Sequence, residues 1–252
     1  MQHRIVSRDE WLTARKAHLA KEKELTRLRD QLSAERRELP WVKVEKPYVF
    51  EGPEGKLTLA DLFDGRSQLI VKHFMFGPDW EEGCVGCSFE VDHVGGALMH
   101  LEHHDVSYAL VSRAPLAKIE AFKNRMGWRA KWVSSYGNDF NYDFHVSFGP
   151  EEIGKGEVYY NNYKMRKFQS DEMSGRSLFY KDPAGDIFHT YSSFARGGEP
   201  FLGTYSYLDI TPKGRDETVN GNLTDWVRHH DRYGDGGFVD PTGRYVAART
   251  SE

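Results

Sequence analysis

The stretch SQLIVKHFMFGPDWEEGCVGCSFEVDH, Ser67 to His93, contains the only two cysteines of the chain, Cys84 and Cys87. Its opening, SQLIVKHFMF, is an almost unbroken apolar run, as expected of a strand buried on both faces. GPDWEEG follows as a turn. Cys87, Val91, Val94, Leu98 and Leu101 then recur at three- and four-residue steps. That spacing predicts a helix to about His104 with one apolar face against the sheet. Cys87 falls on the inward face. Cys84 lies one turn earlier, at the helix N-terminus, where unpaired N–H groups and the positive end of the dipole favour a thiolate. An exposed, activated first cysteine and a shielded second one suit a reversible dithiol–disulfide couple.

Two other readings of the pair stand beside it, inert packing and half of a metal site. Zinc takes four ligands, and a close cysteine pair supplies two. His93, His100, His103 and His104 follow on the predicted helix. His100 is thirteen residues past Cys87, roughly 20 Å along a continuous helix. His93 turns to a different face. The Gly95-Gly96 pair would have to bend the helix severely to change this. Ligands from His145, His189, His229 or His230 stay open. The expectation is no metal and no cofactor, with the histidine cluster a solvated helix end or a separate metal site.

Outward from this stretch, strand and helix signals alternate. YVFEGPEGKLTLADLF reads as a strand, a Gly/Pro turn and a short return. VSYALVS is the next strand, and PLAKIEAFKNRMGW a helix with Pro115 in its first turn. RSLFYKDPAGDIFHTYSSF is an aromatic-rich hairpin about the turn Asp182-Pro183-Ala184-Gly185. A Gly/Pro-rich aromatic segment, an amphipathic piece from Leu223 to Tyr233 and a polar tail end the chain. Strand–helix alternation implies a right-handed crossover and a parallel core.

Residues 7–38 read as one long charged helix. Ser7 and Glu10 fit a capping box. Trp11, His18, Leu25, Leu28, Leu32 and Leu39 fall near heptad spacing, a narrow seam interrupted by Lys21 and Glu35. The domain division is an arm, 1–40, and a domain with a C-terminal extension, 41–252. The arm either lies on its own domain or grips a second subunit. The second reading predicts a homodimer through the N-terminal helix. Light scattering on the full chain and on a variant lacking residues 1–40 checks it, and a full chain already monomeric at micromolar concentration removes it.

The net charge of −4 gives no electrostatic case for nucleic acid or an anionic membrane. No apolar run approaches a membrane span, and MQHRIVSRDEWL lacks the apolar core of a signal peptide. The expected location is cytoplasmic, where thiols stay reduced and a close cysteine pair is catalytic or metal-binding rather than a staple.

The order of strand, cysteine pair, helix, strand, helix and antiparallel hairpin resembles the thioredoxin-like fold. That resemblance implies an α/β protein with a mixed central sheet and flanking helices, here with a long N-terminal helical arm. GKLTLADLFDGRSQLIVKHFMFGPDWEEGCVGCSF and DIFHTYSSFARGGEPFLGTYSYLDITPKGRDE are similar to a bacterial family of uncharacterised thioredoxin-like proteins assigned dithiol–disulfide oxidoreduction. It implies that Cys84 attacks an unknown thiol or disulfide substrate and Cys87 resolves the mixed disulfide. A thiol-dependent peroxidase-like enzyme and a non-catalytic binding or dimerisation module are the alternatives.

The chain departs from better-known relatives. Trp80 stands four residues before the first cysteine instead of directly before it, and Val85-Gly86 replaces Gly-Pro between the two. No proline precedes the first hairpin strand, so Arg176 or Ser177 occupies that place. Glu81 stands where peroxiredoxins carry Thr or Ser, and a carboxylate there opposes thiolate formation at Cys84. Trp80 is read as lining the site mouth, as an aromatic lid or as a core anchor. His73, on the strand leading to the cysteines, is a proton acceptor behind them or a satisfied core histidine. Arg196 and Arg215 bind an anion or form ion pairs, and Tyr205 and Tyr207 pack.

Overall fold

A computed structural model describes residues 3–160, 164–166, 170–217 and 226–248. The chain divides into two compact units, 1–41 and 42–252.

The first unit is helix α1, Arg8–Arg37. Ser7 Oγ accepts from the Glu10 N–H, and the Glu10 carboxylate accepts from the Ser7 N–H at 3.0 Å. The predicted capping box is therefore formed, and each partner satisfies a donor that the helix start leaves open. None of the helix is buried, and Trp11, Leu25, Leu28 and Leu32 are exposed.

In the second unit, β1 is Val42–Lys43, β2 Val49–Gly52, β3 Gly55–Thr58 and β4 Gln68–His73. Helices α2, Val85–Val94, and α3, Leu98–His103, lead to β5, Val106–Ser112. Helix α4, Leu116–Arg125, leads to β6, Lys131–Ser134. Short helices α5, Phe140–Asp143, and α6, Pro150–Gly154, precede a small hairpin of β7, Val158–Tyr160, and β8, Lys164–Arg166. Then come β9, Gly175–Lys181, β10, Ile187–Phe194, α7, Gly203–Leu208, β11, Phe238–Val239, and β12, Tyr245–Val246.

Eight strands form one sheet in the order β1-β10-β9-β4-β5-β6-β2-β3. β4, β5 and β6 are parallel, joined by crossovers that carry α2 with α3 and α4. The hairpin β9–β10 lies antiparallel on the other side of β4. This places the cysteine-bearing crossover and the hairpin on either flank of one central strand, the thioredoxin-like arrangement. The hairpin turn is the one the sequence predicts. Asp182 Oδ1 accepts from the Ala184 and Asp186 N–H groups, and Gly185 takes φ +91°, which favours glycine.

Alternation along β4 divides the core. Leu69 and Val71 join Phe50, Leu62, Phe63, Phe140 and Phe179 on one face. Beneath α2 and α4, the other face gathers Phe74, Phe76, Cys87, Val91, Leu110, Phe122 and Trp132. A third cluster, Val85, Phe89, Leu202, Tyr205, Val227 and Tyr245, packs the C-terminal segment onto the outer side of α2.

One sequence expectation changes, and another is only partly described. The helix predicted from the cysteines to His104 is two helices, because the chain breaks at the Gly95-Gly96 pair between α2 and α3. The amphipathic piece expected over 223–233 lies partly outside the described residues. From Trp226 to Tyr233 the backbone holds turns and segments without regular secondary structure.

Candidate active site around Cys84 and Cys87

Strand β4 runs into a fixed turn. Lys118 Nζ donates to the Pro78 and Trp80 carbonyls at 3.1 and 3.0 Å. A side chain at Gly83 would meet the Phe74 ring at 2.6 Å, so only glycine lets the turn pass so close to the core. The Gly83 carbonyl faces His229 Nε2 at 2.8 Å. Cys84 is then the N-cap of α2. Its N–H donates to the Met75 carbonyl at 2.9 Å, and its sulfur accepts from the Cys87 N–H at 3.4 Å.

Both thiols are free and buried, Cys84 at 8% and Cys87 at 2% exposure. This corrects the expectation of an exposed, activated Cys84. The hydrogen bond that Cys84 makes to Cys87 holds its own proton in place, and burial adds to this, so its pKa rises well above the usual thiol range. Burial pushes the Cys87 thiol up as well. The Cys84 hydrogen bond, Lys72, the Met75 backbone and Arg176 outweigh burial and bring Cys87 down to about 6. Both sets of causes favour ionisation of Cys87 over Cys84.

The groups that favour it were missed in the sequence. Lys72 is 1% exposed, and its Nζ lies 2.9 Å from Glu90 Oε2. Arg176 forks onto the same carboxylate, with Nε 2.6 Å from Glu90 Oε1 and Nη2 on Oε2. Burial lowers both cations and Cys87 opposes it, which leaves Lys72 at about 8 and Arg176 at about 10. A lysine inside LIVKHF and a glutamate one residue before inward-facing Val91 were the available signals, since such residues are buried only when paired. Arg176 and Ser177, which the sequence placed just before the first hairpin strand, lie within β9; Arg176 lines a cavity with the cysteines, while Ser177 faces His73.

His73 is no proton acceptor for this pair. It sits one residue beyond Lys72 and so turns to the opposite face, stacked on Phe140 and Phe144. Nδ1 donates to Asn141 Oδ1 at 3.0 Å, and Nε2 accepts from the Ser177 hydroxyl at 2.9 Å. Burial lowers its pKa to about 3. Trp80 is a core anchor rather than a rim residue: it is 1% exposed, its indole N–H reaches Asp171 at 3.4 Å and Arg244 covers its ring. Glu81, placed where a carboxylate would oppose a Cys84 thiolate, is exposed. Arg196 pairs with Glu199, and Arg215 with Asp209 and Glu199 while stacking on Tyr205 at 3.8 Å. Among the described residues, no three His, Cys, Asp or Glu side chains gather as a metal site.

A cavity of about 450 Å³ opens over the pair. Lys72, Glu90 and Arg176 form its charged floor beside the two sulfurs, and Met75, Met173 and Leu202 give it apolar walls.

The family described as bacterial protein of unknown function (DUF899) matches residues 1–233. The chain belongs to this family. In this DUF899 protein the matched region holds α1, the cysteines, Lys72, Glu90, Arg176 and the hairpin. Pro241 to Gly243, which close one side of the cavity, lie beyond it. No curated protein matches the chain. Among solved structures it is similar to the bacterioferritin comigratory protein of Xanthomonas campestris, at 14% identity and TM-score 0.42 over 67% of this chain and 96% of that one. It is similar to the peroxidoxin BcpB of Mycobacterium tuberculosis, at 15% identity and TM-score 0.41 over 66% and 95%. It is also similar to a putative protein disulfide isomerase of Bacteroides thetaiotaomicron, at 16% identity and TM-score 0.38 over 67% and 91%. No helix among the described residues is long and apolar enough to cross a membrane.

Proposed function

We propose that this protein is a thiol–disulfide oxidoreductase in which Cys84 and Cys87 cycle between dithiol and disulfide. The observation that carries the reading is the buried cation pair, Lys72 and Arg176, set beside Cys87. A structural cysteine needs no cations, whereas a thiolate in an apolar interior does. Both cysteines line the cavity and Cys84 is the more exposed residue of the two, so the mixed disulfide with substrate forms at Cys84. Cys87 closes behind it. Cys84 is the cysteine that joins the substrate and Cys87 the one that closes behind it, but the thiolate is favoured on Cys87, so Cys84 is not the attacking nucleophile that the sequence suggested.

Diamide treatment of the full-length protein is expected to remove about 2 Da, for the two hydrogens lost as the disulfide closes. Cys84→Ser and Cys87→Ser should each abolish that loss. Elemental analysis of protein purified without chelator should find no stoichiometric metal. A pair that does not close leaves a non-catalytic binding module as the reading. One zinc per chain, released only when the cysteines are alkylated, would replace the redox reading with a metal site.

A further inference from the structure

We propose that the pair acts as an oxidant of thiols, its disulfide taking electrons from substrate thiols, because the buried Lys72–Glu90–Arg176 cluster lacks one negative charge that only the reduced pair supplies. This rests on the dithiol reading above.

The charge count comes first. Lys72 and Arg176 are both buried and share the single carboxylate of Glu90. One cation is in excess, and an uncompensated charge in an apolar interior is costly. Among the described residues, the groups that face it are few. Cys84, Cys87 and Glu90 come from the α2 segment, Lys72 from β4 and Arg176 from β9, while Tyr108 of β5 packs beside Cys87 with its hydroxyl unpartnered. Arg196, Glu199 and Glu217 border the cavity, and their partners are one another, Arg215 and Tyr205. The Cys87 thiolate is the anion that completes the cluster. When the disulfide closes, neither sulfur carries charge and the excess cation returns. The reduced state is favoured accordingly, and a couple whose reduced form is stabilised is the stronger oxidant.

Access points the same way. Both cysteines line the cavity; in the reduced protein the more exposed residue, Cys84, holds its proton more tightly, and ionisation is favoured at the less exposed Cys87. That makes a poor nucleophile towards an incoming disulfide. In the oxidised protein the accessible sulfur is the electrophile, and the sulfur behind it is a good leaving group, since a low-pKa thiolate leaves faster.

The steps balance. A substrate thiolate attacks Cys84 Sγ, the Sγ–Sγ bond breaks, and its electron pair leaves on Cys87 beside Lys72 and Arg176. A second substrate thiolate attacks the substrate sulfur of the mixed disulfide. The substrate disulfide forms, and Cys84 leaves as a thiolate that takes a proton. Two thiols lose two electrons and two protons. The protein gains both electrons and one proton, and the other proton goes to solvent. The cavity admits a small thiol or an extended peptide cysteine.

Full-length wild type and Lys72→Met are equilibrated in glutathione buffers, acid-quenched and alkylated, and the reduced fraction is read by mass. A second series uses a reduced cysteine peptide, which separates a small thiol from a peptide substrate. At neutral pH, complete loss of the low-pKa Cys87 thiolate shifts the equilibrium by about tenfold. Lys72→Met is expected to shift it roughly tenfold towards the disulfide. The 240 nm thiolate absorbance of the reduced protein should titrate near the Cys87 value in wild type and vanish at pH 7 in Cys87→Ser while persisting in Cys84→Ser. These two serine variants keep the test open if Lys72→Met does not fold. Equal equilibria for wild type and a folded Lys72→Met, or a thiolate that vanishes in Cys84→Ser instead, would overturn the proposal. Failure of the wild-type pair to close with diamide is a separate result that overturns the dithiol reading itself.

Discussion

Glu90→Gln is expected to destabilise the reduced protein by about 3–5 kcal/mol, the usual cost of removing one partner from a buried ion pair. Glu90 is 5% exposed and holds both Lys72 and Arg176. The neutral amide leaves two buried cations with the Cys87 thiolate as their only anion. In the disulfide form even that anion is gone, so the loss should be larger after oxidation than before. Urea unfolding of both forms measures the difference. The triple variant Lys72→Met, Glu90→Leu, Arg176→Met removes every charge together. Apolar replacement of a whole buried ionic cluster is often neutral or stabilising, so this variant should unfold within about 1 kcal/mol of wild type or later. It should also lose the low-pKa thiolate. Stability would then be separated from redox poise, and the cluster's reason for existing would be Cys87 rather than the fold. A Glu90→Gln protein as stable as wild type in both redox forms would show that the cations do not depend on this carboxylate.

The sequence carried the scaffold because its signals there are local. Ser7 and Glu10 spell a capping box, VSYALVS coincides with β5, and the Asp182–Gly185 turn is written in residues whose backbone preferences fit it. Gly95-Gly96 announced a bend that the structure turns into a break. The site was legible only as far as the two cysteines. What decides which sulfur ionises is a contact between β4, α2 and β9, with Glu90 and Arg176 86 positions apart in the chain. No periodicity encodes such a meeting. His73 was read as near the cysteines because it lies on the strand that leads to them. A strand alternates its faces with every residue, so the choice between His73 and Lys72 turned on one position of register. Helix-end electrostatics favoured Cys84 for a similar reason: the argument was local, while the buried cations beside Cys87 are not.

Acidification should expose the cost of keeping His73 neutral. Its ring is enclosed by Phe140 and Phe144, and both nitrogens are occupied by Asn141 and Ser177. Burial brings its pKa from the ordinary 6.5 to about 3. The unfolded chain therefore takes up a proton at this residue as pH falls through 6.5, while the folded chain refuses it until about 3. Unfolding binds the extra proton, so the contribution of His73 to stability is fully present above pH 6.5 and is lost towards pH 3. The slope within that window is about 1.4 kcal/mol per pH unit. Other groups titrate in the same range, and Glu172, which burial raises to about 7, acts in the opposite direction. The comparison that isolates His73 is wild type against His73→Phe, in which those other groups are unchanged. At pH 7 the phenylalanine variant should be less stable by about 1–3 kcal/mol, since Asn141 and Ser177 each lose a buried partner. Denaturant unfolding at stepped pH should show that gap closing at about 1.4 kcal/mol per unit below pH 6.5, with the variant overtaking wild type in mildly acidic buffer. A gap that stays constant from pH 7 to pH 4 would mean that the folded protein accepts the proton at His73. In that case the ring does not sit enclosed on the face of the sheet away from the cysteines.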